Sequence, residues 1–240
     1  MDTVKITDKK HTKMVAHRGV SGIERENTLP SFIAAGNRSY FGIECDVHIT
    51  KDKKHIVYHD DSTKRLCDKD IVLEESDFAT IRALKVKGSG SEKFSETLVL
   101  PTLKEYLEVT ARYDKVAVIE LKRPMEKDDV KAIIEDCCEV YDLNRIIFIS
   151  FDYDNLVYVR EFLPDQKVQY LCWDYTEDLI EKLLKYSMGL DIWYGALTKE
   201  RVDILHRNGI EINCYTCDDP TDAQKLIEWG VDMITSNILE

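Results

Sequence analysis

A chain of 240 residues, 44% hydrophobic and 32% charged, is long enough to bury one large core. Its 45 acidic side chains against 33 basic ones give a formal charge of −12, which speaks against general nucleic-acid binding and against a polybasic membrane anchor. Met1 to Lys13 is polar, without the apolar run of a signal peptide, and no later stretch approaches the length of a membrane span, so a cytoplasmic protein is the expectation.

Met14-Val15-Ala16-His17 is a short apolar run ending on a polar ring, and Arg18-Gly19 follows it: a strand with a loop after it. Asn27-Thr28-Leu29-Pro30 reads as a helix start, a capping side chain followed by an early proline, with Phe32, Ile33, Ala34 and Ala35 as the buried side. Gly42 to Ile49 is a second strand. Alternation across it puts Glu44, Asp46 and His48 on one face and Ile43, Cys45, Val47 and Ile49 on the other. An acidic inward face is a poor core but suits a hard cation held by oxygen ligands. Lys51-Asp52-Lys53-Lys54 is a polar turn, after which His55 to His59 runs back and returns His59 to the neighbourhood of His17 and Asp46.

Residues 61–100 break this rhythm. They are charged, carry Gly88-Ser89-Gly90-Ser91 near their end, and offer one helix-like piece around Phe78, Ile81 and Leu84. They read as an insertion lying over one mouth of the scaffold. From Pro101 the alternation is regular: helices are expected at 102–112, 127–141, 154–162, 177–187, 198–208 and 220–229. The strands between and after them are Val116–Glu120, Ile146–Ile149, Val168–Leu171, Leu190–Ile192, Ile210–Cys214 and Val231–Thr235. With the first two, this makes eight short strands separated by helices. The fold class is therefore α/β, and one (β/α)8 TIM barrel spanning 1–240 is the first choice. A doubly wound sheet is the second, but no G-x-G-x-x-G follows the first strand. In such a barrel the active site lies at the carboxyl ends of the strands, where His17, Glu44, Asp46, Glu120, Lys122 and Ser150 would converge.

His17-Arg18-Gly19, Glu26-Asn27-Thr28, Glu44-x-Asp46, Thr50-Lys51-Asp52 and Val57-Tyr58-His59-Asp60 together resemble the signature of the glycerophosphodiester phosphodiesterase family. Leu100-Pro101-Thr102-Leu103, Glu120-Leu121-Lys122 and Ser150-Phe151-Asp152 continue the likeness in the family's order, over nearly the whole chain. The family also carries an insertion where residues 61–100 stand. The resemblance implies metal-dependent hydrolysis of glycerophosphodiesters to sn-glycerol 3-phosphate and an alcohol. It carries metal ligation, by Mg2+ or Ca2+, onto Glu44, Asp46 and Glu120, and acid–base roles onto His17 and His59 in an order left open. A substrate hydroxyl would attack phosphorus to form a cyclic phosphate that water then opens, while Arg18 steadies the phosphate. Lys122 reads either as a phosphate contact or as a salt bridge to the carboxylates. Glu26 and Asn27 would brace the first loop, and Tyr215, with Trp173 and Trp193, would line the mouth or serve as core.

Other residues read more plainly. His48 faces inward but one layer off; His11, His55 and His206 look like ordinary surface or helix residues, and the charged runs at 51–54 and 126–131 like solvated faces. Seven cysteines (Cys45, Cys67, Cys137, Cys138, Cys172, Cys214 and Cys217) suit reduced, buried thiols. Cys214-x-x-Cys217 lacks the thioredoxin-like context or second ligand pair that redox or zinc chemistry would want. The chain departs from the family's pattern at Tyr215-Thr216-Cys217-Asp218, at Met233 and at Ser236-Asn237-Ile238-Leu239, all near the presumed mouth. Two rivals stand beside the small-diester reading. One is a lysophospholipase D-like enzyme, which would need an apolar trough; the other is a barrel that only binds phosphate metabolites.

Overall fold

The computed structural model describes residues 2–240. Among the described residues, nine strands form one sheet. They are β1 (Lys13–Ala16), β2 (Gly42–Ile49), β3 (His55–Val57), β4 (Val116–Leu121), β5 (Ile146–Ser150), β6 (Val168–Cys172), β7 (Gly189–Trp193), β8 (Ile212–Tyr215) and β9 (Met233–Ser236). All but β3 run parallel. β1 pairs with β9 through Lys13↔Met233 to Ala16↔Ser236 and with β2 through Val15↔Gly42 and Ala16↔Ile43, which closes eight strands into a barrel. β3 folds back antiparallel on β2, with Val47 opposite Val57 and Ile49 opposite His55.

Helices α1 (Leu29–Gly36), α3 (Leu103–Arg112), α4 (Lys127–Val140), α5 (Tyr153–Phe162), α6 (Leu179–Lys185), α7 (Lys199–Arg207) and α8 (Pro220–Trp229) follow the strands, and the five-residue α2 (Phe78–Arg82) lies in the stretch between β3 and β4. Among the described residues, no helix is long and apolar enough to cross a membrane. Their ends are chemically specified. Thr28 caps α1 and Thr102 caps α3, each in a reciprocal box with the residue three places on, worth about 1 kcal/mol apiece. Gly230 ends α8 at φ +91°, a conformation glycine adopts without a Cβ penalty. The element bounds differ from the sequence expectation by one or two residues, as frayed ends do.

Side-chain alternation divides the core. Ile43, Cys45, Val47, Ile119, Phe148, Leu190, Ile192 and Ile212 face the helices in the larger cluster. Val15, Val116, Val118, Ile147, Ile149, Leu171 and Met233 fill the barrel interior. Burial on both faces explains why the strands read as near-continuous apolar runs. On α1, Phe32 and Ala35 are buried as expected, but Ile33 is 41% exposed, because the next position on a helix turns about 100° away from the face that Phe32 presents to the sheet.

Residues 61–100 hold two single 3-10 turns (Thr63–Arg65 and Leu73–Glu75), α2, and isolated bridges such as Cys67↔Val86. They enclose a small core of their own: Ile56, Tyr58, Leu66, Leu73, Ile81, Leu84, Val86 and Leu100. His55, expected at the surface, is buried on β3 with Nδ1 donating to Asp136 Oδ2 of α4 at 2.7 Å, because β3 packs against α3 and its His55 ring meets α4 rather than solvent. All seven cysteines are free thiols; Cys138 is exposed, and Cys172 is half-buried.

Candidate active site

At the carboxyl end of the barrel, β2 and β4 stand side by side with Asp46 opposite Glu120 in register. Glu44, two residues earlier on the same inward face, completes a buried set whose carboxylate oxygens all lie within 4.8 Å of one another. Three acids at that spacing repel, and the surroundings answer the repulsion unequally. Lys122 Nζ lies 2.7 Å from Glu120 Oε1 and 3.4 Å from Asp46 Oδ1, and Arg18 Nε lies 3.3 Å from Asp46 Oδ2. Burial works to raise the Asp46 carboxyl, but Arg18 and Lys122 outweigh it and hold this group well below its usual range. Glu120 is pushed up to about 7 by burial and by Asp46. Glu44 is raised well above the ordinary value by burial and by Asp46, which outweigh the Arg18 charge and the Arg18 backbone N–H that donates to Oε2 at 2.7 Å. Asp46 Oδ1 is buried and accepts no hydrogen bond. Three converging carboxylates, Asp46 with an oxygen that accepts no hydrogen bond and Glu44 with no side-chain ion pair, fit a hard divalent cation.

The first loop makes this arrangement possible. Arg18, Gly19 and Asn27 all have φ above +50°. At Gly19 a side chain is excluded, since a Cβ would come within 2.4 Å of Ser31 Oγ. The chain thereby turns Arg18 back over Glu44 and Asp46, and Asn27 Nδ2 donates to Asp46 Oδ2 at 2.7 Å. Glu26 receives Arg18 NH1 at 2.8 Å and Arg65 NH1 at 2.7 Å. Burial favours its neutral form, but the two guanidinium groups keep its carboxyl below the normal range.

His17 and His59 line one pocket with Arg18, Glu44 and Glu120, a cavity of about 130 Å³. Each is fixed through Nδ1. His17 donates to Asn237 Oδ1 at 2.7 Å, and His59 donates to Asp60 Oδ1 at 2.6 Å, so in the neutral rings Nε2 carries the lone pair. Asn237 is itself held by Asp218, which accepts from its Nδ2 at 2.6 Å and from its N–H at 2.8 Å. Asp60 accepts from Arg65 Nε at 2.7 Å. Burial and the Arg18 charge lower the His17 imidazole to about 4; burial likewise lowers His59, against the pull of Asp46.

Several residues take other places. His48 is buried beneath the insertion, with Nε2 3.3 Å from His59 O and Nδ1 3.5 Å from Glu74. Ser150 Oγ donates to Leu121 O rather than to the pocket, because its side of β5 faces away from the barrel axis. Tyr215 lines the pocket, its hydroxyl donating to Cys172 O at 2.9 Å. It meets Trp173 at 5.5 Å and Phe151 at 6.0 Å between ring centroids, and Phe151 and Trp173 stack at 5.6 Å, forming an apolar rim. Trp193 lies against Gly195 and Tyr194 and does not join that rim. The lining of the pocket contains no residue of 61–100. That segment packs on the carboxyl ends of β2 and β4, where Glu74 meets His48 and Asp61 meets Arg123, and reaches the site residues through Arg65. Sequence reasoning gave no role to Asn237, Asp218, Asp60 or Arg65: Asn237 meets His17 across 220 positions, whereas Asp60 stood in the His59-Asp60 motif without being seen as the ring's acceptor. The acidic–amide pair at 218 and 237 was visible only as a departure from a motif.

The chain matches the model of the glycerophosphoryl diester phosphodiesterase family over residues 17–240. It belongs to that family. A glycerophosphodiester phosphodiesterase of Caldanaerobacter subterraneus subsp. tengcongensis is 31% identical over 241 residues, covering 94% of each chain. One from Bacillus subtilis is 29% identical over 93% of this chain and 82% of its own length. Among solved structures, an Oleispira antarctica phosphodiesterase in complex with the product sn-glycerol-3-phosphate superposes with a TM-score of 0.88 at 27% identity, covering 94% of this chain and 93% of the other.

Proposed function

We propose that this protein hydrolyses glycerophosphodiesters to sn-glycerol 3-phosphate and an alcohol, with a divalent cation held by Glu44, Asp46 and Glu120. The observation that carries the reading is the convergence, in one pocket, of a buried carboxylate triad with two histidines tied through Nδ1. Family membership and the product-bound relative support the substrate class. When bound, the cation, Mg2+ or Ca2+, supplies Lewis-acid polarisation of a phosphoryl oxygen and acidifies a hydroxyl beside it.

The protein's own groups do the rest. Arg18 and Lys122 border the site as fixed positive charges that receive the phosphodiester. Nε2 of one histidine takes the proton from the glycerol hydroxyl as its oxygen bonds to phosphorus. The other histidine, entering protonated, donates to the departing alkoxide as the second P–O bond breaks. The cyclic phosphate formed is opened by water with the two histidines in reversed roles, which restores their protonation and releases glycerol 3-phosphate. Asn237 and Asp60 hold the rings so that neither must be oriented at the moment of reaction.

The test is release of glycerol 3-phosphate from glycerophosphocholine, with a chelator and then with Mg2+ or Ca2+ restored. Release that stops on chelation and returns with metal supports the reading, and no release with either metal refutes it. The rim of Phe151, Trp173 and Tyr215 favours a second reading, a lysophospholipase D-like enzyme. Here the apolar surface comes from the loops after β5 and β6, not from the insertion. Faster turnover of lysophosphatidylcholine than of glycerophosphocholine would establish it.

A further inference from the structure

Across the pocket from the triad, the inward faces of β6 to β9 are polar where a barrel interior is ordinarily aliphatic. Gln169, Asp191, Asn213 and Thr235 form a buried layer. Asn213 sits at its centre: its Nδ2 donates to Asp191 Oδ2 at 3.1 Å, and its Oδ1 accepts from Thr235 Oγ1 at 3.2 Å. Thr235 and Asn213 are thereby engaged. Asp191 is not: it is 1% exposed, it lines the pocket, and its Oδ1 has no hydrogen-bond partner. It does not belong to the carboxylate triad, and among the described residues no basic side chain pairs with it. A buried carboxyl oxygen without a partner is costly unless something else completes it. Its pocket is the one argued above to hold the substrate.

We propose that Asp191 is a specificity-determining residue that binds a hydroxyl of the substrate through Oδ1, and that this is the terminal hydroxyl of the glycerol moiety. The assignment rests on the phosphodiesterase reading. Depth distinguishes the two ends of the diester. Glycerol must lie beside the triad for its hydroxyl to reach phosphorus, whereas the leaving alcohol departs past the rim, where Trp173 is 59% exposed. Glycerol so placed retains one hydroxyl that is neither esterified nor attacking. The lining residues Ile149 and Leu171 are apolar, Arg18 is taken up by the phosphate, and Glu120 is paired with Lys122. Thr216, the other uncommitted polar side chain of the lining, lies past the end of β8 and is partly exposed, so Asp191 is the buried polar group placed to meet it. A site built to satisfy a hydroxyl in this way rejects the analogue lacking it, since the acceptor is then left bare.

The experiment compares glycerophosphocholine with its analogue in which the terminal CH2OH is CH3, for the parent, Asp191→Leu and Asp191→Ala. Alanine leaves room for a water to meet Asn213 should the leucine variant fail to fold. The parent is expected to favour the glycerol diester in kcat/KM by about tenfold or more, and the variants to bring that ratio to within about twofold. An unchanged ratio in a folded variant overturns the assignment. A second arm compares glycerophosphoglycerol with glycerophosphocholine. If the variants change only this ratio, the hydroxyl belongs to the leaving alcohol, and the assignment to glycerol is wrong. Calorimetric binding of sn-glycerol 3-phosphate and of propane-1,2-diol 1-phosphate separates this inference from the reaction itself. With no turnover of any diester, discrimination in binding that is lost on substitution still upholds Asp191 as the hydroxyl's partner. Equal binding of the two phosphates by the parent, or binding of neither, overturns it.

Discussion

Glu44→Gln is expected to stabilise the cation-free protein while removing its response to a divalent cation. Glu44 lies within 4.8 Å of carboxylate oxygens of both Asp46 and Glu120, and, unlike them, it has no side-chain cation within bonding distance. At that separation and an effective dielectric of about 20, each like-charge pair costs about 3 kcal/mol. The cost has a ceiling, because the group can take up a proton instead. At about pH 8, holding protonated a carboxyl that ionises near 4.5 in the unfolded chain costs at most about 5 kcal/mol. Glutamine keeps an oxygen to accept the Arg18 N–H at 2.7 Å but loses the Arg18 attraction. A net gain of about 2–4 kcal/mol follows, or a rise in Tm of about 5–15 °C for a domain of this size. Because the folded-state carboxyl is raised, the native state holds the proton more tightly than the unfolded chain. The parent therefore loses stability as pH rises above the unfolded value, and the advantage of glutamine vanishes at about pH 4 and below. Thermal unfolding in chelator, followed by circular dichroism at acidic and alkaline pH, measures both quantities. Mg2+ or Ca2+ should raise the Tm of the parent and leave that of the variant nearly unmoved. A variant no more stable than the parent at alkaline pH, or equally advantaged at both pH values, refutes the electrostatic reasoning.

His17→Ala and His59→Ala should each lower kcat by about 10²–10⁴-fold with unchanged far-ultraviolet dichroism; near-parental rates would end the acid–base assignment. Asn237→Ala removes the acceptor for His17 Nδ1, and a loss in kcat of about tenfold to a hundredfold with little change in KM is expected from steady-state kinetics. Arg65→Ala breaks half-exposed ion pairs to Glu26 and Asp60. It should cost under about 1 kcal/mol of stability in urea unfolding while slowing turnover through a loosened His59–Asp60 pair. Cys214→Ser with Cys217→Ser should leave glycerophosphocholine turnover within about threefold of the parent, since both thiols are buried and burial holds Cys217 up at about 12, beyond the reach of thiolate chemistry. Turnover that depended on these thiols and survived chelation would instead revive a redox reading.

What could be read from the chain follows the range of the interactions involved. Strands with apolar runs, helix starts at Thr28 and Thr102, and the alternation that puts Glu44 and Asp46 on one face of β2 all come from neighbours a few residues apart, so the sequence by itself determined the repeated strand–helix units. Family motifs, being contiguous, brought His17, Arg18, Glu26, Asn27, His59, Glu120 and Lys122 to the same place. Closure of β1 on β9 was only inferred from counting, because nothing local to either strand states the pairing. The tertiary structure alone decided that Asn237 and Asp218, 19 positions apart, orient His17. It also decided that Arg65 reaches the site from a segment expected to cover it, that His55 is buried with Asp136 as its partner, and that Asp191 is left with an unmet oxygen. A hydrogen bond depends on positions in space, and across a barrel those are set by the register of strands far apart in the chain.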